Sequence, residues 1–566
     1  MKRALLLAAL VITLIALGLF QIAEPSIIQK LSPHFPHNEE NEPAYYADMI
    51  GYLFHEGIWV ALLIIATLYF TWYGKLLEKI HALEEKLLTK VKVSMVWLVV
   101  IFFAITTLVA TVGMEQFPNS ADEYAYLFQA EQLSQGKLWD EVHPEPEFFE
   151  FHHLAQKDGK WVGRFPPGWP LMLSIAFVLG IPTFLVNAVI GVAAMLMTFK
   201  FVRRIYDERV ALWATVALAF SSFFIFNAAT YFSHMVSMLV GLLFVYLSYR
   251  YLQTKKILYV LGAGFFLGLL VMTRQLTALI FLLPIGVYFL YQLKLRSFLP
   301  LVMMGVGAIP GVAFFLWYNY TITGNALVPV TMWTNADEAL GFVKGHTPVK
   351  GAKFTFKRLA MFLYWASPSF LILYLVYLFK RARDYKKILV HPEDYLFLLL
   401  IIGYFFYYHS GGNQYGPRFY LEGLPFLIIL ITLKALRTNQ RWAKVFFFLG
   451  IAFNLVRIPF IAYREHRVVE ERKDVYTQVE KQGLGNAVVF ISSQTGVIRS
   501  MPVENLNRND HYYNNEVIYA RDLGEKNREL MEHYKGKEFY VYKREINKVE
   551  GTLTKVEDFD PDFTNP

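Results

Sequence analysis

None of the 566 residues is a cysteine. Disulfides, thiolate metal sites and thiol nucleophiles are therefore excluded, and any folded part outside a membrane must hold together by packing alone. Charge is also scarce: Asp, Glu, Lys and Arg make up 18% of the chain against 55% hydrophobic and 17% aromatic residues, too apolar for a soluble protein of this length. No Gly-rich phosphate loop of the P-loop or dinucleotide type occurs. No internal duplication of the kind found in many transporters is visible either. The net charge of +8 resembles a nucleic-acid signal only in sum. The basic residues sit in short clusters between apolar runs, the pattern of membrane topology determinants rather than of a binding stripe.

What the chain has in abundance is long hydrophobic runs. About thirteen are long enough to cross a hydrocarbon core of about 30 Å: near 4–23, 50–72, 94–114, 183–202, 210–230, 235–252, 257–273, 275–293, 298–319, 359–379, 394–410, 418–435 and 444–463. The fold class is an all-α polytopic membrane protein. The first run follows Lys2-Arg3 and has no clear small-residue cleavage site after Ala23, so it reads as an uncleaved anchor. Basic clusters at Lys75 to Lys92, Arg203-Arg204, Lys255-Lys256, Lys294 to Arg296, Lys380 to Lys387 and Arg437 to Lys444 fall on alternate loops. That places the amino terminus on the cytoplasmic side of the cell membrane and the carboxyl terminus outside.

Three parts follow. Residues 1–93 are an amino-terminal extension with two spans and a cytoplasmic segment in which Leu76, Ile80, Leu83 and Leu87 recur at helical spacing. This amphipathic helix is expected to lie on the membrane surface, with a short dimerising coil as the alternative. Residues 94–463 are the membrane core. In 464–566, short apolar runs at 488–491, 516–519 and 538–542 alternate with helical stretches over 465–482 and 525–534, which predicts a small α/β domain outside the membrane.

The candidate site lies in the outer loops. The polar stretch of about fifty residues between Glu115 and Gly168 opens with Ser120-Ala121-Asp122-Glu123-Tyr124, where Ser120 and Glu123 form a capping box. That explains Glu123 but does not require Asp122, which is placed to act as a general base. The loop closes with Arg164-Phe165-Pro166-Pro167-Gly168, in which the stiff Pro-Pro backbone suits a held phosphate clamp. Arg274 lies between two short apolar runs at the same membrane edge, where a charge is functional or paired. His234 caps a short outer turn after Ser233, and Gly416-Pro417-Arg418 starts another span from outside after Asn413-Gln414-Tyr415. His143, His152 and His153 lack partners at metal-ligand spacing and read as loop residues. Asp122, Arg164, Arg274 and Arg418 thus come from four places but map to one face at similar depth, a carboxylate opposite cations that could hold a leaving phosphate.

These motifs resemble those of the GT-C-fold glycosyltransferases that use polyprenyl-phosphate sugars, in particular the protein O-mannosyltransferases and the lipid A aminoarabinose transferases. The resemblance covers about 94–463. It rests on Asp122-Glu123-Tyr124, Arg164-Phe165-Pro166-Pro167, Arg203-Arg204-Ile205-Tyr206 with Arg209-Val210-Ala211-Leu212, Thr273-Arg274 and Tyr415-Gly416-Pro417-Arg418. It implies Asp122 as catalytic base and Arg164 and Arg274, with Arg418, as contacts to the donor phosphate; Glu123, Tyr124, His234 and Tyr415 are supporting candidates. The chain departs from these relatives at Ser233-His234, where they often carry an acid, and at Gly163. Two extra spans also precede the matching region.

The expected reaction moves a sugar from a polyprenyl-phosphate carrier to a hydroxyl of an acceptor glycan, lipid or protein on the extracytoplasmic face, with inversion. Trp333, Asp337 and Glu338 in loop 320–357 are expected to cover the acceptor side. No cofactor is required; a divalent cation between Asp122 and His234 stays open. The partners are the lipid-linked sugar, the acceptor and the bilayer, with no nucleic acid. The rival reading is a transporter or flippase for a polyprenyl-linked substrate, which would place ionisable residues near the membrane midplane rather than at its outer edge.

Overall fold

A computed structural model of the chain describes residues 4–13, 15, 42–151, 153–335, 340–383, 391–409, 411–412, 414–492, 508–544 and 550–556. Lys2, Arg3, Ala23, His152, Asp337, Glu338, Lys386, Lys387 and Asn413, all used above, lie outside the described residues.

The architecture is a helical bundle capped at one end by a mixed layer. Seven of the described helices are long and apolar enough to cross a membrane, or up to nine if two bent pairs each count as one span. Several expected spans are interrupted. The run 210–230 breaks at Ser221 into Glu208–Ala219 and Ser222–Ala228, which meet at 63°. The run 359–379 divides into Pro348–Trp365 and Pro368–Ala382, because Pro368 has no N–H and forces the residue before it out of helical geometry. The run 394–410 yields only Leu396–Phe405. An apolar helix that the span count passed over, Gly168–Leu179, closes the long loop and leaves Ile175, Val178 and Leu179 exposed.

The amphipathic segment forms the helix Leu76–Thr89, turned 85° from Gly57–Trp72. Leu77, Ile80, Leu87 and Leu88 pack on the bundle, while Leu83 stays exposed. The docking contact is Glu84. Its buried carboxylate accepts the Trp213 indole N–H at 2.7 Å and pairs with Arg209 at 2.7 Å. At this same end Arg437 pairs with Asp207 at 2.9 Å and Arg441 donates to the Gly74 carbonyl at 2.9 Å. Three of the basic clusters therefore gather at the end of the bundle away from the capping layer.

The capping layer joins loop 115–168 to the carboxyl-terminal segment. Within the loop, β1 (Asp140–Glu141), β2 (Leu154–Lys157) and β3 (Lys160–Gly163) form an antiparallel sheet in the order β1-β3-β2. Lys157 pairs with Lys160 across the two-residue turn Asp158-Gly159, whose φ values of 53° and 73° are the positive pair that such hairpins require. Beyond the bundle, β4 (Ala487–Ile491), β5 (Val517–Arg521), β6 (Glu538–Lys543) and β7 (Thr552–Lys555) form a sheet in the order β5-β4-β6-β7. β4 runs parallel to both neighbours and is buried at every position, as its unbroken apolar sequence demands. The α/β expectation for this segment therefore describes it well.

The boundary at 464 does not. Arg441–Lys481 is one helix of 41 residues, about 60 Å at 1.5 Å per residue, and it carries the chain from bundle to cap without a linker. Phe117, Tyr124, Phe128, Phe151 and Trp161 of the loop share one apolar cluster with Val469, Tyr476, Val488, Ile518 and Tyr540. Polar contacts seal the seam. His511 meets Asp140 at 2.6 Å and Glu131 at 3.1 Å, and Lys526 meets Glu147 at 2.7 Å.

Candidate active site

The first helix of the loop, Ala121–Ser134, starts at Ser120, whose hydroxyl accepts the Glu123 N–H while the Glu123 carboxylate accepts from Asn119 N–H and the Ser120 hydroxyl. The capping box is thus present. Glu123 also accepts the Tyr231 N–H at 3.1 Å, which ties the helix start to the turn before His234. Burial pushes its carboxyl up to about 7, although the Tyr231 N–H and Arg418 oppose this. One residue earlier, 100° around the helix, Asp122 faces a different neighbourhood. Its Oδ1 lies 2.8 Å from His153 Nε2 and its Oδ2 3.0 Å from Arg418, with a quarter of the side chain exposed. Burial alone would raise this carboxyl; His153 and Arg418 outweigh it and hold Asp122 well below the usual carboxylate range.

A cavity of about 160 Å³ opens beside Asp122. Arg164, His234, Arg274 and Arg418 line it together with Asp122, His153, Tyr404 and Phe419. Two backbone devices bring these residues together. The Gly168 N–H donates to the Met272 carbonyl at 2.8 Å, and a Cβ on Gly168 would meet Thr273 Oγ1 at 2.4 Å. Only glycine permits that approach, which brings the Arg164 loop end against the Arg274 turn. At the other wall, Tyr415 (φ 56°) and Gly416 (φ 101°) reverse the chain so that Arg418 lies over the Phe232 ring, 3.4 Å from its centre.

Arg274 donates to the Ser233 hydroxyl at 3.3 Å and the Tyr404 hydroxyl at 3.2 Å, and its Nε lies 3.3 Å from Glu422 Oε1 as an ion pair without an aligned hydrogen bond. The same Glu422 oxygen is 3.1 Å from His234 Nδ1. Three arginines against Asp122 and Glu422 leave the site with a surplus of one positive charge, suited to an anionic ligand.

The expected residues differ in their surroundings. Arg418, expected above to contact the donor phosphate, directs one guanidinium nitrogen to Asp122 Oδ2 at 3.0 Å. Tyr124 does not face the cavity. Two residues along a helix lie about 200° apart, so when Asp122 faces the cavity Tyr124 turns into the cap, its ring 4.5 Å from Phe151. Tyr415 is buried between Phe232 and Trp365, sent inward by the same left-handed turn that presents Arg418. His234 and Asp122, considered as a metal pair, turn to different partners, and among the described residues no group of three His, Cys, Asp or Glu gathers to hold an ion. Trp333 stands by the loop sheet, under Lys157.

Two residues of the site were missed. His153 reads as a loop residue in the sequence, although the Asp158-Gly159 hairpin is legible there. Counting back from the Lys157 and Lys160 pair puts His153 opposite Arg164, whose N–H donates to the His153 carbonyl at 3.1 Å. Glu422, four residues after Arg418, is fully buried at the start of an apolar run, and a carboxylate in such a place signals a partner.

Residues 166–318 match the family model described as dolichyl-phosphate-mannose-protein mannosyltransferase. None of the curated proteins matches the chain. Among solved structures, the fold is similar to ArnT from Cupriavidus metallidurans bound to undecaprenyl phosphate, with a TM-score of 0.50 and 11% identity over 81% of this chain and 98% of that one. The apo state of the same protein matches with a TM-score of 0.50 and 12% identity over 83% and 99%. The chain therefore shares the GT-C fold of these structures over about four-fifths of its length.

Proposed function

We propose that the protein transfers a sugar from a polyprenyl-phosphate carrier to an acceptor hydroxyl at the end of the bundle that carries the cap, the extracytoplasmic end by the distribution of basic loops. The observation that carries this reading is the convergence of Asp122 with Arg164 and Arg274 in one cavity of a GT-C fold. Arg164 and Arg274 hold the carrier phosphate by charge-assisted hydrogen bonds. The Asp122 carboxylate takes the proton of the acceptor hydroxyl as its oxygen attacks the anomeric carbon. The bond from that carbon to the phosphate oxygen breaks, the electron pair leaves with polyprenyl phosphate, and the single displacement inverts the sugar. Arg418 and His153 hold the carboxylate ionised and aimed. The reaction needs no metal on this reading, because the arginines neutralise the leaving phosphate.

The sugar is a hexose or pentose and the acceptor a glycan, lipid or protein. Mass spectrometry of envelope glycans from cells with and without the chain tests the reading. A sugar present only with the chain, and lost with Asp122→Asn, is the expected result; an unchanged glycan profile overturns it.

A further inference from the structure

Arg418 and Glu422 stand four residues apart on one short helical turn, Arg418–Gly423. Each side chain carries one half of an ion pair into the site, from opposite ends. Arg418 grips Asp122, the proposed base, while Glu422 grips Arg274, the proposed phosphate contact. Glu422 is completely buried and does not itself line the cavity. Both residues that meet its Oε1, Arg274 and His234, do line it.

The donor inventory shows what this does. A guanidinium has five N–H donors. The Arg274 Nε lies 3.3 Å from Glu422 Oε1 as an ion pair without an aligned hydrogen bond. Arg274 gives one terminal nitrogen each to Ser233 and Tyr404, which leaves one N–H on each terminal nitrogen. That is the fork a phosphate accepts from two sides. The Glu422 carboxylate lies on one side of the guanidinium and the Phe419 ring, its centre 5.4 Å away, on another. Glu422 also commits His234 Nδ1, so that Nε2 is the imidazole nitrogen left for the cavity.

We infer that Glu422 is a positioning residue for donor binding: one buried carboxylate aims the Arg274 fork at the carrier phosphate and fixes the presented face of His234. The turn Arg418–Gly423 then acts as a crossbrace that keeps the base and the phosphate site in register. This rests on the proposed role of Arg274.

The test is a double-mutant cycle on the full-length protein, with undecaprenyl phosphate as probe and its Kd as readout. Glu422→Gln preserves shape and removes the charge. It is expected to weaken binding about tenfold, whereas in an Arg274→Ala background the same change has an effect below about twofold, because nothing is left to aim. Glu422→Asp keeps the charge and is expected to recover part of the affinity. Thermal unfolding of each variant separates aim from folding: a purely structural Glu422 lowers the melting temperature while the folded fraction binds with unchanged Kd. That outcome overturns the inference, as does a Glu422→Gln effect equal in both backgrounds. If Arg274→Ala alone leaves Kd unchanged, the failure lies instead in the phosphate role of Arg274.

Discussion

The sharpest consequence of the site is the behaviour of Asp122. Asp122→Asn keeps the size of the side chain and an oxygen that can still accept from His153, so the loop should stay folded. It removes the proton acceptor. Loss of a general base costs about 10²–10⁴ in rate, and about 10³ corresponds to about 4 kcal/mol of barrier. The carrier phosphate is held elsewhere, by Arg164 and Arg274, so donor affinity is expected to change by less than about threefold. The wild-type pH profile adds a second constraint. Asp122 is held well below the usual carboxylate range by His153 and Arg418 against the opposing effect of burial, so it stays ionised throughout the working range. An acid limb from this group is therefore expected only below the usual carboxylate range. Replacing Arg418 by Met removes one of the two partners that oppose the effect of burial. The acid limb of kcat/KM should then move upward, and Arg418→Lys should bring it back. The assay is transfer of labelled sugar from the polyprenyl carrier in purified membranes, across pH. Normal turnover by Asp122→Asn, or an acid limb indifferent to Arg418→Met, would refute the assignment of Asp122 as base.

Three further outcomes are expected. The cysteine-free background makes single-cysteine labelling clean: Leu327→Cys, at a position 82% exposed, should react with an impermeant thiol reagent in intact cells, and a cysteine at 380 should react only after permeabilisation. The reverse pattern would invert the orientation. Activity should survive chelators, and His234→Ala should lower the rate only modestly; full inactivation restored by one divalent metal, in wild type but not in His234→Ala, would show a metal site. At the cap seam, burial alone would lower His511, but Asp140 and Glu131 raise it to about 9. Its stabilisation is therefore complete below the unfolded value of about 6.5 and fades as pH rises through about 9, an effect of roughly 3 kcal/mol. Melting temperatures between pH 6 and 10 should fall in the wild type and fall less in His511→Gln; parallel curves would exclude the His511 contact as their source.

Local features of the chain were legible because they depend on near neighbours. The apolar runs specified a helical bundle, the run Val488 to Ile491 specified a strand, found at Ala487–Ile491, and Ser120 with Glu123 specified a helix start. The four charged residues Asp122, Arg164, Arg274 and Arg418 could be assembled from topology alone, because a span returns each loop to a known end of the bundle. Their pairing could not. Whether Arg418 faces a phosphate or Asp122 depends on the left-handed turn at Tyr415 and Gly416, and on packing over Phe232. The extra amino-terminal helix was visible, but its docking through Glu84 to Arg209 and Trp213 was not, since those residues lie more than a hundred positions apart. The same holds for the cap. Hydropathy separated 464–566 from the membrane, whereas the continuous helix Arg441–Lys481 and the cluster shared with loop 115–168 make the two parts one layer. Periodicity and charge order act along the chain and survive in the sequence. Which buried carboxylate meets which arginine is decided by three-dimensional packing, where only a partner within about 4 Å repays the cost of removing a charge from water.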